Sequence, residues 1–175
     1  MAGMATYDAS RADCRVFTYK DGALSAVAHD LEVRVGALSI TVGDDLAIDA
    51  TFEAGSLTVL HAVKDGQPSG ALGAGDKKKI EKTIAGEVLD AARHPRITFR
   101  GQAVATASGY DVTGTLTLHG QARPVRLTAR RDGERVVGEL RLHQPDFGIK
   151  PFSAMFGTLK IKPDVRVVVS VPAPA

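Results

Sequence analysis

Five histidines, one cysteine and one short acidic pair are the side chains with the most chemistry to offer, and their spacing limits what they can do. His29, His61, His94, His119 and His143 stand singly, without the His-x-His or His-x-x-x-His spacing that presents two imidazoles to one metal ion. His29-Asp30 has the residue types of a base and its orienting carboxylate. Adjacent strand residues point to opposite faces, however, so the two side chains cannot meet as a relay. No Gly-x-Ser-x-Gly elbow carries a nucleophilic serine, and Ser108 and Ser153 fall in loops without a neighbouring base. Asp44-Asp45 is a turn by composition. Cys14 has no partner for an internal disulfide and reads as a small buried hydrophobe. These positions predict no catalytic residue, no bound metal and no cofactor, hence a protein that is not an enzyme.

Two other clusters invite a ligand. Gly70-Ala-Leu-Gly-Ala-Gly75 resembles a phosphate loop in its glycines, but Asp76 follows where a lysine and a hydroxyl residue are needed. It reads as a flexible connector. Lys77-Lys-Lys79 with Arg123, Arg126, Arg130, Arg131 and Arg135 makes a basic patch. A single-strand nucleic-acid barrel would interleave aromatic residues for base stacking. Aromatic residues are only 5% of the chain and tryptophan is absent, so the patch reads as a solvated outer face and nucleic acid is not expected.

The elements that must position these residues are mostly strands. At 175 residues, 44% hydrophobic and 24% charged with net charge +2, the chain fits one domain, 1–175, with a core over about 12–171. Leu31, Val33 and Val35 alternate with polar residues, as do Leu38, Ile40 and Val42, and then Leu46, Ile48, Ala50 and Phe52. The clearest run sets Tyr110, Val112, Gly114, Leu116 and Leu118 against Asp111, Thr113, Thr115, Thr117 and His119. One dry face and one threonine ladder describe an antiparallel strand buried on one side. Asp132-Gly133 is a hairpin signal. The single helical stripe is Ile80, Ile84 and Val88 with Leu89 and Ala92, predicting a helix near 77–92 with Asp76 as N-cap and Pro95 as terminator. Many hairpin-linked strands and one helix predict an all-β, closed antiparallel barrel of about eight strands.

Three ordered segments add to this: Val88-Leu-Asp-Ala-Ala-Arg-His-Pro-Arg-Ile-Thr-Phe99, then Tyr110 to Val125 with its His119-Gly120 turn and Arg123-Pro124-Val125, then Asp146-Phe-Gly-Ile149. Together they resemble the YceI-like family of lipocalin-like barrels. The resemblance covers roughly residues 85 to 150 and extends to Ala28-His-Asp-Leu31. It implies binding of a polyisoprenoid, a quinone or a fatty amide. One departure is His143-Gln-Pro145, where relatives often have an arginine.

The expected ligand site is the barrel interior. Eight strands hold either packed side chains or one small ligand. Few large aromatics fill this interior, and Gly101, Ala103, Ala105, Gly114 and Gly138 leave volume. The predicted lining is His29, Ile97, Phe99, Tyr110, Val112, Gly114, Leu116 and Leu118, with Phe147, Phe152, Met155 and Phe156 forming a rim. His29 or Tyr110 would orient a polar head. The reading is therefore non-enzymatic binding or transport of a long-chain lipid or isoprenoid, with a side-chain-filled protein-interaction module as the alternative and a homodimer left open. Met1–Ser10 lacks the basic and apolar regions of a secretion signal, and no run is long enough to span a membrane. The expected location is cytoplasmic and soluble, or periplasmic if a leader precedes Met1.

Overall fold

The computed structural model describes residues 4–21, 29–154 and 159–174. The strands are β1 (Met4–Asp8), β2 (Asp13–Thr18), β3 (Lys20–Asp21), β4 (Asp30–Val35), β5 (Leu38–Gly43), β6 (Ala47–Glu53), β7 (Leu57–Lys64) and β8 (Gln67–Ser69). After the helix α1 (Ala74–Thr83) come β9 (Arg96–Ala105), β10 (Gly109–Leu118), β11 (Gln121–Asp132), β12 (Arg135–His143), β13 (Ser153–Ala154), β14 (Leu159–Ile161) and β15 (Asp164–Pro172). Every described pairing is antiparallel.

Twelve strands form one sheet in the order β1-β5-β6-β9-β10-β11-β12-β15-β2-β4-β7-β8, and β13-β14-β3 form a small second sheet. The large sheet curls into a half-barrel rather than the closed barrel of about eight strands expected from sequence. Bends account for the difference in number. Three long segments each break once and supply two strands apiece: β1 and β2 across Ala9–Ala12, β4 and β5 across Gly36-Ala37, and β6 and β7 across the short 3-10 turn Ala54–Ser56. The first bend also joins the flanks of the sheet covalently, because β1 bonds to β5 while β2 bonds to β15 and β4. Edge strand β8 is only three residues long and carries Pro68, which suits an edge that must not recruit another chain.

Turn chemistry matches the tight hairpins. His119 and Gly120 both have positive φ (53° and 73°), as do Asp65 and Gly66 (53° and 76°), the two-residue geometry whose twist suits adjoining strands. Gly133 supplies the same left-handed freedom at φ 61°. The helix differs from expectation at its start. Gly73 is the N-cap, and Asp76 sits in the first turn, where its carboxylate accepts the Gly73 N–H at 3.2 Å. A carboxylate at this third helical position satisfies the cap N–H and faces the positive end of the helix dipole. Past Thr83 the helix widens through a π-helical segment, Ile84–Val88, before Pro95 precedes β9. Glu81 Oε2 docks it on the sheet by accepting the Val59 N–H at 2.8 Å, beside the irregularity where β4–β7 pairing shifts register.

Candidate functional site

An apolar lumen of about 1400 Å³ runs inside the curled sheet. Its wall follows from the period-2 pattern, which sends alternate residues of each strand inward. One belt comprises Leu140, Val167, Val16 and Val33, register partners across β12, β15, β2 and β4. A second comprises Leu116, Phe99, Ala50 and Ile40 across β10, β9, β6 and β5. The helix contributes Ile80, Ile84 and Val88, the stripe that recurs every four residues. The lumen reaches Met4, Leu46, Tyr110 and Pro172 at one end, and Thr18, His29, Leu118, Gln144 and Phe152 at the other.

Polar groups are a minority in this wall; Arg11, Asp44, Asp76, Lys79 and Thr83 border it, and a separate set gathers at the Thr18 end. Thr18 Oγ1 is buried without a hydrogen-bond partner among the described residues, an arrangement that costs about 1–3 kcal/mol unless a ligand or water supplies one. Near it lie His29 and the buried Gln144, whose Nε2 donates to Lys162 O at 3.2 Å. Asp30, on the opposite face from His29, accepts the Lys20 N–H at 2.7 Å, so the two do not form a relay. Cys14 also lines the lumen, and burial followed by the neighbouring Asp13 charge pushes its thiol up to about 12. A thiol in that state is protonated at neutral pH and is not a nucleophile.

The structure brings His29, Ile97, Phe99, Tyr110, Val112, Leu116, Leu118 and Phe152 to the lumen wall as the sequence predicts. His29 and Tyr110 lie at opposite ends, so they cannot orient the same head group. Two expected residues do not line it. Gly114 is covered: a Cβ there would lie 2.6 Å from Phe99 Cζ and 2.7 Å from Gly101 Cα, because the Phe99 ring folds over the paired glycines 101 and 114. Phe147 is 3% exposed and packs with Leu116, Leu118, Leu89 and Ile149 as core instead of rim. It belongs to the 3-10 turn Gln144–Phe147, which ends at Gly148 with φ 70° and bonds Gly148 N–H to Pro145 O at 3.0 Å. Met155 and Phe156 lie outside the described residues. Of the small residues, Ala103 and Gly138 line the lumen, whereas Ala105 is exposed and Gly101 lies beneath the Phe99 ring.

Sequence reasoning missed Thr18 and the β15 valines Val167 and Val169. Continuous valines hide which face is inward, and nothing local marks a hydroxyl that long-range packing will orphan. The histidines form no metal cluster among the described residues. His94 and His119 stack with ring centroids 4.7 Å apart, His119 Nδ1 lies 3.2 Å from Phe147 O, and His143 Nδ1 lies 2.6 Å from Asp164 Oδ1. Arg135, read from sequence as part of a solvated patch, instead ties β15 to the first bend: it donates to Ser170 Oγ at 2.6 Å and to Arg11 O at 2.7 Å. No helix among the described residues is long and apolar enough to cross a membrane.

An antiparallel half-barrel wrapped around an apolar lumen, with one described α-helix packed against it, is the architecture of a barrel whose interior is not filled by its own side chains. The chain belongs to the YceI-like family, whose domain model matches residues 7–173. Solved structures similar to it include BcnA of Burkholderia cenocepacia, 19% identical over 93% of this chain and 96% of that one, with a TM-score of 0.64. A polyisoprenoid binding domain from Saccharophagus degradans, implicated in plant cell wall breakdown, is 15% identical over 99% of this chain and 100% of that one, with a TM-score of 0.60. The Campylobacter jejuni YCEI protein is 13% identical over 90% of this chain and 80% of that one, with a TM-score of 0.51. At these identities the likeness is one of fold. No curated protein matches the chain.

Proposed function

We propose that this protein binds and carries a long-chain apolar ligand, a polyisoprenoid, quinone or fatty amide, in its lumen without transforming it. The observation that carries the reading is the lumen itself, about 1400 Å³ and lined mainly by aliphatic and aromatic side chains. That exceeds the roughly 300–1,000 Å³ of sites for compact ligands and suits an extended chain. A dozen buried methylenes contribute about 10 kcal/mol, within the range needed to offset an association cost of about 4–15 kcal/mol. Thr18, His29 and Gln144 offer hydrogen bonds at one end, where a weakly polar group would lie. The polyisoprenoid binding domain of Saccharophagus degradans supports the same ligand class. Two observations support carriage without reaction: the Cys14 thiol is held protonated, and His29 has no orienting carboxylate among the described residues.

The test is native mass spectrometry of the purified protein, followed by organic extraction. A stoichiometric hydrophobic adduct of unaltered mass, returned on re-addition to stripped protein, is expected. A protein that stays unliganded in the presence of excess geranylgeraniol, hexadecanol and a quinone would refute the reading.

A further inference from the structure

β11 and β12 begin as a hairpin but part company. Their pairing runs from Asp132↔Arg135 to Thr128↔Glu139 and stops there, although β11 continues back to Gln121 and β12 on to His143. Beyond that point each strand bonds only to its other neighbour, β11 to β10 and β12 to β15. The parted strands leave a notch of about 370 Å³ on the outer wall. Leu140 and Leu142 line both this notch and the lumen, so one layer of side chains separates them. The notch lies at the same end of the barrel as Thr18, His29 and Gln144.

Its chemistry is the reverse of the lumen's. Arg123, Arg126 and Arg141 line it with His143, against the single carboxylate of Asp146. Of the nearby acids, Glu139 is engaged with Arg166 at 2.8 Å, away from the notch, and Asp164 with the notch's own His143 at 2.6 Å, which leaves the arginines as the cationic groups of the notch. Arg123 Nε donates to Asp146 O at 3.0 Å, closing the end of the notch, while Arg126 and Arg141 have no acidic partner within bonding distance among the described residues. Unpaired guanidinium groups beside unpaired strand edges are a setting for a multiply hydrogen-bonded oxyanion.

Resting on the reading of the lumen as a lipid site, we propose that this notch is a side portal which takes the anionic head, phosphate or carboxylate, of an amphiphile whose chain occupies the lumen. The head stays at the surface on Arg126 and Arg141, and the chain passes through the gap between β11 and β12, alongside Leu140 and Leu142. This spares the ligand the prohibitive cost of burying an unpaired charge.

The experiment compares hexadecyl phosphate, hexadecanol and inorganic phosphate on the wild type and on an Arg126→Gln/Arg141→Gln double variant. Both arginines are exposed and unbonded, so the variant keeps its fold, checked by thermal melting. The wild type is expected to prefer hexadecyl phosphate over the alcohol by at least tenfold, a preference that shrinks with added salt and vanishes in the variant while alcohol affinity holds. An unchanged preference in the variant, or alcohol and phosphate ester binding alike to the wild type, would overturn the portal. So would inorganic phosphate competing as tightly as the ester, which would mark a site for a free anion. Failure of the alcohol and the ester together would instead count against the lumen as a lipid site, and the portal would fall with it.

Discussion

Blocking the lumen at its middle separates a guest held inside the barrel from one held anywhere else. Val167 is the position for it. It sits near the centre of β15, between register partners Leu140 and Val16, and its side chain borders open lumen. A tryptophan there projects an indole across the channel and divides it. If a dozen methylenes bury for about 10 kcal/mol, a guest confined to half the length forfeits about 5 kcal/mol. That corresponds to about 10³–10⁴ in Kd. Small-to-large changes in a filled core cost about 1–3 kcal/mol, but here the added volume enters open space, so Val167→Trp should melt within a few degrees of wild type. Val167→Ala, which only widens the channel, should bind close to normally. The assay is calorimetric titration of geranylgeraniol into delipidated protein, with circular dichroism to confirm the sheet. A folded Val167→Trp protein of wild-type affinity would refute a lumen-bound guest.

Three further outcomes follow from particular contacts. Gly114→Leu should destabilise the protein by more than about 3 kcal/mol in urea unfolding, since its Cβ would press on the Phe99 ring and the backbone of β9, whereas a stable variant would mean the ring moves freely. Cys14 should resist maleimide at pH 8 in the native state and react at once after unfolding, because its thiol is pushed up to about 12; rapid native labelling would contradict the buried environment. Glu139 is held below its ordinary value of 4.5, chiefly by the hydrogen bond from Arg166. A group lowered on folding contributes stability that is complete above its unfolded value and is lost as pH falls through its folded one. Wild type should therefore lose stability below about pH 4.5 that Glu139→Gln does not, by a small amount because the pair is more than 40% exposed. Parallel acid melts of the two proteins would count against the pair.

Much of the wall is legible in the sequence, because its signal is local. Alternation in Leu31-Glu-Val-Arg-Val35 and in Tyr110 to Leu118 has period 2, and that period alone decides which side chains share a face. The turn at His119-Gly120 and the stripe Ile80, Ile84 and Val88 are likewise properties of a few neighbouring residues, and the Asp132-Gly133 signal marks its hairpin one residue early, since Asp132 still pairs with Arg135 and the turn is Gly133-Glu134. What tertiary structure alone decided depends on partners distant in sequence. The bends that turn three segments into six strands lie where the chain leaves one set of neighbouring strands for another. Gly114 has the right parity for the lumen, yet an aromatic ring on the next strand claims its space. Phe147 sits in an apolar loop that reads as a rim until Gly148 turns it under the wall. Thr18 is an ordinary strand threonine until packing leaves its hydroxyl without a partner among the described residues. The parting of β11 from β12 leaves no mark in either strand, because a pairing that stops is a property of two strands together. Faces are set by the residue beside; cavities and gaps are set by the strand across.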